Sequence, residues 1–223
     1  MFIGHFGLAF AARRAAPRAP LAVLFAAAQL ADLLWPVFLA VGLESVRIDP
    51  GNTAVTPLDF VSYPFSHSLL MLVVYAALAA GLCRMVTRDS RTAPVVAALV
   101  VSHWVLDVVT HRPDMPLYPG GPKLGLGLWH SIAATVAVEV PLYAAGVWLY
   151  LGSTRACDGV GRWGTAALVA FLGIAYAANF AGAPPSVTAV WVSAIAGAIV
   201  IVVWSAWVDG HRESSTFEVQ RAK

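Results

Sequence analysis

The chain has 223 residues, 59% of them hydrophobic and 12% charged, with a mean hydropathy of +0.74 and a net charge of +2. Soluble domains are about 45–50% apolar and about 25% charged, so too few charges remain here to coat a soluble globule, and a disordered chain is excluded by the same numbers. The small, dispersed positive charge excludes a nucleic-acid face, and Cys83 and Cys157 make neither a disulfide framework nor a CxxC metal pair.

What remains is an all-α polytopic membrane protein, and its elements are read in chain order against the roughly 20 apolar residues that a spanning helix needs. Residues 1–12 are apolar but too short to cross and end at Arg13 and Arg14. They predict a short N-terminal half-helix. Folded back into the membrane, it carries His5 about 12 Å inward from Arg13; lying on the surface, it leaves His5 in solvent. Six spans follow, at 21–43, 67–83, 94–110, 126–151, 164–182 and 187–208. The first is too long for the apolar core of a signal peptide. Pro50, Gly51, Asn52, Pro57 and Pro64 mark a first long loop, and the run from Pro113 to Pro122 marks a second that cannot be helical. The segment 119–127 reads as a connector or as a mobile flap. No internal repeat or paired broken helix is visible. The expected organisation is a four-helix polar core over 1–152, a two-helix apolar extension over 153–208 packed outside it, and a cytoplasmic tail over 209–223.

Basic residues fix the expected orientation. Arg13, Arg14, Arg18, Arg84, Arg88, Arg91, Arg155, Arg162, Arg212, Arg221 and Lys223 fall on one side, eleven of the 14 Lys and Arg. Only Arg47, Arg112 and Lys123 fall on the other. This predicts a multi-pass protein of the cytoplasmic (inner) membrane with both termini in the cytoplasm and the two long loops facing outward. The eight tryptophans suit interfacial belts.

Charged groups at bilayer depth cost about 2.5–3.5 kcal/mol on insertion scales, so they are expected to be partnered. Asp32, His67, His103, Asp107, His130 and Glu139 all lie in the first four spans. His103, Asp107 and His111 are four residues apart and form one helical stripe. Imidazole nitrogen with carboxylate oxygen suits zinc and other transition metals, whereas a plain His–Asp hydrogen bond between helices is the structural alternative. Asp32 lies mid-span at a depth similar to His103, while His67 and His130 open their spans on the outer side. Each has an ordinary alternative: Asp32 a buried acid paired with Gln29, His67 an interfacial residue capped by Ser66, His111 a helix end, His130 a neighbour of Trp129. Glu139 lies nine residues past His130, on the opposite helix face, and reads equally as a structural acid or a base.

Gly4-His5-Phe6-Gly7, Asp32, Ser66-His67-Ser68-Leu69-Leu70 and Ser102-His103-Trp104-Val105-Leu106-Asp107 together resemble the YdjM-like family of bacterial membrane proteins, described as membrane-bound metal-dependent hydrolases. The resemblance covers about the first two-thirds of the chain. The order Asp, His, His-x-x-x-Asp, His is also similar to the ligand order of zinc-dependent phospholipase C. By that likeness Asp32, His67, His103 and Asp107 would be ligands, with His111 or His130. The likeness fails at a later His-x-x-x-Glu pair, because Ala134 stands four residues after His130. One or two ions, zinc by preference, are therefore expected, held within Asp32, His67, His103, Asp107, His5, His111 and His130. Asp107 and Asp32 are the expected catalytic carboxylates, and Asp59, Asp114 or Glu139 could orient a water. The expected partner is the lipid bilayer and the expected substrate a lipid or phosphoester at outer headgroup level. An ion-coupled transporter and a non-catalytic scaffold are the rivals. A common ion requires His67 and His103 to lie within about 8 Å of Asp32 and Asp107.

Overall fold

A computed structural model describes residues 1–87 and 89–215; Arg88, Arg221 and Lys223, and most of the expected tail, lie outside the described residues. The chain is all-α and polytopic, with only short strand pairs among its helices. The half-helix α1 (Ile3–Ala15) is followed by α2 (Leu21–Ala28) and α3 (Leu30–Ala40). A hairpin of β1 (Ser45–Ile48) and β2 (Leu58–Ser62) leads to α4 (Leu69–Thr87) and α5 (Thr92–Thr110). A smaller pair, β3 (Met115–Pro116) and β4 (Lys123–Leu124), precedes α6 (Ile132–Ser153). Strand β5 (Thr154–Ala156), α7 (Thr165–Ala178), α8 (Val187–Asp209) and β6 (Arg212–Ser214) complete the described chain, with β5 paired to β6. Among the described residues five helical stretches, α4, α5, α6, Val160–Ala178 and α8, are long and apolar enough to cross a membrane, or six if the bent pair α2–α3 is one span.

That bend corrects the sequence reading. The first span is not continuous but turns by 59° at Gln29. Gln29 has φ −104° and ψ 12°, outside helical geometry. The second and fourth spans also start later than expected, at Leu69 and Ile132. His67 and His130 therefore sit on the approach to their helices.

Helix α1 is too short to cross, at about 20 Å for its 13 residues, and is folded back among the others. Ile3, Phe6, Ala9 and Phe10 are buried on all sides. Its contact with α6 is a crossing of two glycines. A Cβ on Gly146 would fall 2.0 Å from the Gly7 carbonyl oxygen, and one on Gly7 would fall 2.8 Å from the Leu142 carbonyl oxygen. Small residues that let backbones touch are how membrane helices gain packing where hydrophobicity cannot drive association. The start of α1 is held by Glu139 of α6, whose Oε2 accepts the backbone N–H of Phe2 at 2.8 Å and of Gly4 at 3.2 Å. Glu139 is thus a capping acid for otherwise unsatisfied N–H groups at a positive helix end.

Helix α8 lies against α2 and α3, and one apolar core runs from Phe10 and Phe25 to Leu168, Leu172 and Val208. The basic end is locked by a buried pair, Arg13 with Asp209 Oδ2 at 3.0 Å. Asp209 Oδ2 also accepts the Leu21 N–H at 3.0 Å, and Oδ1 accepts the Tyr150 hydroxyl at 3.2 Å. One carboxylate therefore ties together α1, α2, α6 and α8.

Candidate metal centre

Four elements bring their polar groups to one point. His5 comes from α1, Asp32 from α3 just past the bend, His67 from the turn before α4, and His103 and Asp107 from one face of α5, with His111 at its end. Asp107, buried to 2% exposure, is the hub. Its Oδ1 lies 3.0 Å from His5 Nε2 and is also paired with the amino group of Met1. Its Oδ2 lies 3.1 Å from His103 Nε2, 3.8 Å from His67 Nε2 and 3.9 Å from His111 Nε2. Asp32 Oδ1 lies 3.4 Å from His67 Nε2 and 3.8 Å from His103 Nε2. All these separations are far inside the limit of about 8 Å for a common ion.

The tautomers follow from what each Nδ1 meets. His103 Nδ1 is 2.8 Å from the Ala28 carbonyl oxygen, which can only accept, so Nδ1 carries the proton. Ala28 is the last residue of α2, so the bend in the first span supplies this acceptor. His67 Nδ1 is 2.7 Å from Ser66 Oγ, whose own proton goes to Glu44 Oε2 at 2.6 Å. His67 Nδ1 must therefore donate. Glu44 is itself fixed by the N–H groups of Phe65 and Ser66, both at 2.8 Å. His111 Nδ1 donates to Asp114 Oδ1 at 3.0 Å, and the Tyr63 hydroxyl donates to the same oxygen at 2.7 Å. Burial alone would raise the Asp114 pKa, but the hydrogen bonds from His111, Tyr63 and Arg112 hold it below the usual carboxylate range. Burial, and then the Asp114 charge, push the Tyr63 phenol well above its ordinary value. Asp114 therefore accepts as a carboxylate while Tyr63 remains a donor.

With every Nδ1–H committed outward, the Nε2 atoms of His67, His103 and His111 turn lone pairs toward carboxylate oxygens. Donating Nδ1–H to a carboxylate or carbonyl is the usual support of a metal-bound histidine, since it fixes the ring and raises its basicity. His103 Nε2 is buried without a hydrogen-bond partner, although Asp107 Oδ2 is only 3.1 Å away. Lone pairs facing carboxylates at this range need positive charge between them. Several imidazolium ions would repel one another, most of all where the His5 and His103 rings stack at 3.9 Å. The Met1 amino group on Asp107 Oδ1 supplies part of that charge, and a divalent cation could supply the rest without that repulsion. Four-coordinate zinc with ligands at about 2.0–2.1 Å has ligand–ligand separations of about 3.3–3.4 Å, within the span observed here. Among the described residues two overlapping groups could hold an ion, His5 with His103 and Asp107, or Asp32 with His67 and His103, and His103 Nε2 is common to both.

Six of the seven sequence candidates thus converge. The seventh, His130, does not: it ends a single helical turn (Leu128–His130) and is exposed. The segment before it is pinned over the end of α5, with the Leu126 N–H on the Val108 carbonyl and the Gly127 N–H on the His111 carbonyl, both at 2.7 Å. This crossing directs the chain away from the cluster. The same bonds make 125–127 a fixed cap on α5, not a flap. Asp32 is the open member of the cluster, with 40% of its side chain exposed against 4% or less for His5, His67, His103, Asp107 and His111. Glu44, Tyr63 and the Ala28 carbonyl were not expected from sequence. Ser66 beside His67 was the one local hint of such support.

Comparison with known proteins returns no matching family model, no matching curated protein and no matching solved structure.

Proposed function

We propose that this chain is a membrane-embedded hydrolase that holds one or two divalent ions, zinc by preference, between α1, α3, α4 and α5. The observation that carries the reading is the convergence of Nε2 lone pairs from His67, His103 and His111 on the carboxylates of Asp32 and Asp107, each ring held by an acceptor on its far side. A divalent ion bound there would lower the pKa of a water and stabilise negative charge on a substrate oxygen. Asp107 gathers the histidines, and Asp32, the exposed ligand, marks the side from which substrate and water arrive. A lipid phosphoester at the outer headgroup level is the substrate class that suits a centre inside a helical bundle. The resemblance to the YdjM-like proteins supports the same activity.

Metal analysis tests this reading. Protein purified without chelator should carry about one equivalent or more of a divalent metal, falling below about 0.1 in His103→Ala and Asp107→Ala and unchanged in His130→Ala. Less than about 0.1 equivalent of every metal in the parent protein would refute it. The bend at Gln29 beside Asp32 favours an ion-coupled transporter as the second reading, since broken helices line ion sites in transporters. Proteoliposomes loaded with a pH- or metal-sensitive dye separate the two: ion uptake abolished by Asp32→Asn supports transport.

A further inference from the structure

The three basic residues on the sparsely charged side of the sequence, Arg47, Arg112 and Lys123, are far apart in the chain, yet all three line one recess of about 460 Å³. Asp59, Phe60, Val61, Pro113 and Asp114 complete its wall. The recess is built, not incidental. Asp59 is buried, and its Oδ2 accepts from Arg47 Nε at 3.1 Å and Nη2 at 2.5 Å, while its Oδ1 is paired with Arg112 Nη2. Arg112 is further fixed by Asn52 Oδ1 at 2.6 Å and Asp114 Oδ2 at 3.2 Å. Both guanidiniums are therefore held in place before any ligand arrives, which removes much of the ordering cost of binding. Arg47 keeps 73% of its side chain exposed, and the Lys123 ammonium lies 3.5 Å from the Val61 carbonyl oxygen at the rim. Three cations face two acids in the recess wall, and the Asp49 carboxylate also acts on Arg47.

We propose that this recess binds a phosphate group. Guanidinium forks and an ammonium suit the several oxygens of a phosphate, which accept charge-assisted hydrogen bonds from more than one direction at once. Asp114 forms part of the recess wall with one oxygen on Arg112, while its other oxygen holds His111 of the candidate metal centre. The phosphate would thus rest one side chain away from that centre. The proposal adds a separate anion site and does not require the metal reading to hold.

The test uses the full chain in detergent after EDTA treatment, so that phosphate on a bound ion is not counted. Inorganic phosphate and glycerol 3-phosphate are titrated by calorimetry. In parallel, retention of phosphatidylglycerol against phosphatidylcholine is counted by native mass spectrometry. The expected result is saturable binding in at least one arm, weakened at least tenfold by Arg47→Gln combined with Lys123→Gln. The same charge change at the other end, Arg14→Gln with Arg91→Gln, should leave it within twofold. Binding of the soluble phosphates identifies a free phosphoester as the source, and retention of phosphatidylglycerol alone identifies a lipid headgroup. Thermal melting checks folding; should the double variant not fold, Lys123→Gln alone is measured, with a loss of at least threefold expected. Absence of binding in both arms, or binding that the recess substitutions leave within twofold, overturns the proposal. Metal content of untreated protein is read separately, so the two readings fail independently.

Discussion

Replacing Gly146 with alanine puts one methyl group into the backbone-to-backbone crossing of α1 and α6. The new Cβ would stand 2.0 Å from the Gly7 carbonyl oxygen, 2.5 Å from its carbonyl carbon and 2.7 Å from its Cα. Every obstacle is backbone, so no side chain can turn aside, and α1 must withdraw by roughly 1.4 Å to restore ordinary contact. Alanine for glycine inside a helix gains about 1 kcal/mol in propensity. Overpacking a rigid contact costs about 1–3 kcal/mol, and two apposed backbones belong at the upper end. The net expectation is a loss of about 2 kcal/mol. Gly197 in α8 has nothing within 4 Å of its added Cβ, so Gly197→Ala should be neutral or stabilising by the same propensity gain. Withdrawal of α1 also carries His5 away from Asp107, where the Nε2–Oδ1 separation is 3.0 Å. Melting curves in detergent followed by size exclusion, with metal content measured on the same samples, read both consequences. A Gly146→Ala protein that melts with the parent and Gly197→Ala, and retains parent metal, would refute the account of this crossing.

Three other outcomes follow from partners named above. Glu44→Ala leaves Ser66 without its acceptor, so metal affinity should fall about 10–100-fold in competition with a chelator while the protein still folds. Glu139→Leu strips the acceptor from the N–H groups of Phe2 and Gly4, at a cost of about 1–3 kcal/mol, and faster hydrogen exchange over the first turn of α1 should report it. Asp209→Ala strands the buried Arg13 guanidinium, for which a loss of about 3–5 kcal/mol is expected in the melting curve; Asp209→Glu should recover part of it.

How much of this was legible in the sequence depends on the range of the interaction. Long apolar runs and the four-residue spacing of His103, Asp107 and His111 are local periodicities, and the helices and the stripe follow directly from them. The shared depth of His103 and Asp32 was reachable through depth counting, because rise per residue is nearly constant along a helix. The bend at Gln29 was not reachable. Residues 21–40 are mostly apolar, and their breaks, Gln29, Asp32 and Pro36, do not single out Gln29 as the corner; the Ala28 carbonyl finds its partner on α5, 75 residues away. His130 failed for a related reason, since the backbone bonds from Leu126 and Gly127 that turn it outward leave no mark in composition. Glu139 could not be assigned a role from sequence, because its partners are backbone N–H groups of a distant segment, which no side-chain pattern encodes.

Because the acceptor that sets the His103 tautomer is a main-chain carbonyl exposed only where α2 gives way to α3, no substitution at that position can remove it, and only conformation can. A newly inserted first span that is still straight would hold that carbonyl in its own helical ladder and leave the histidine free to take either tautomer. Under the proposed metal reading, the ring would be set for an ion only once the spans have docked and bent.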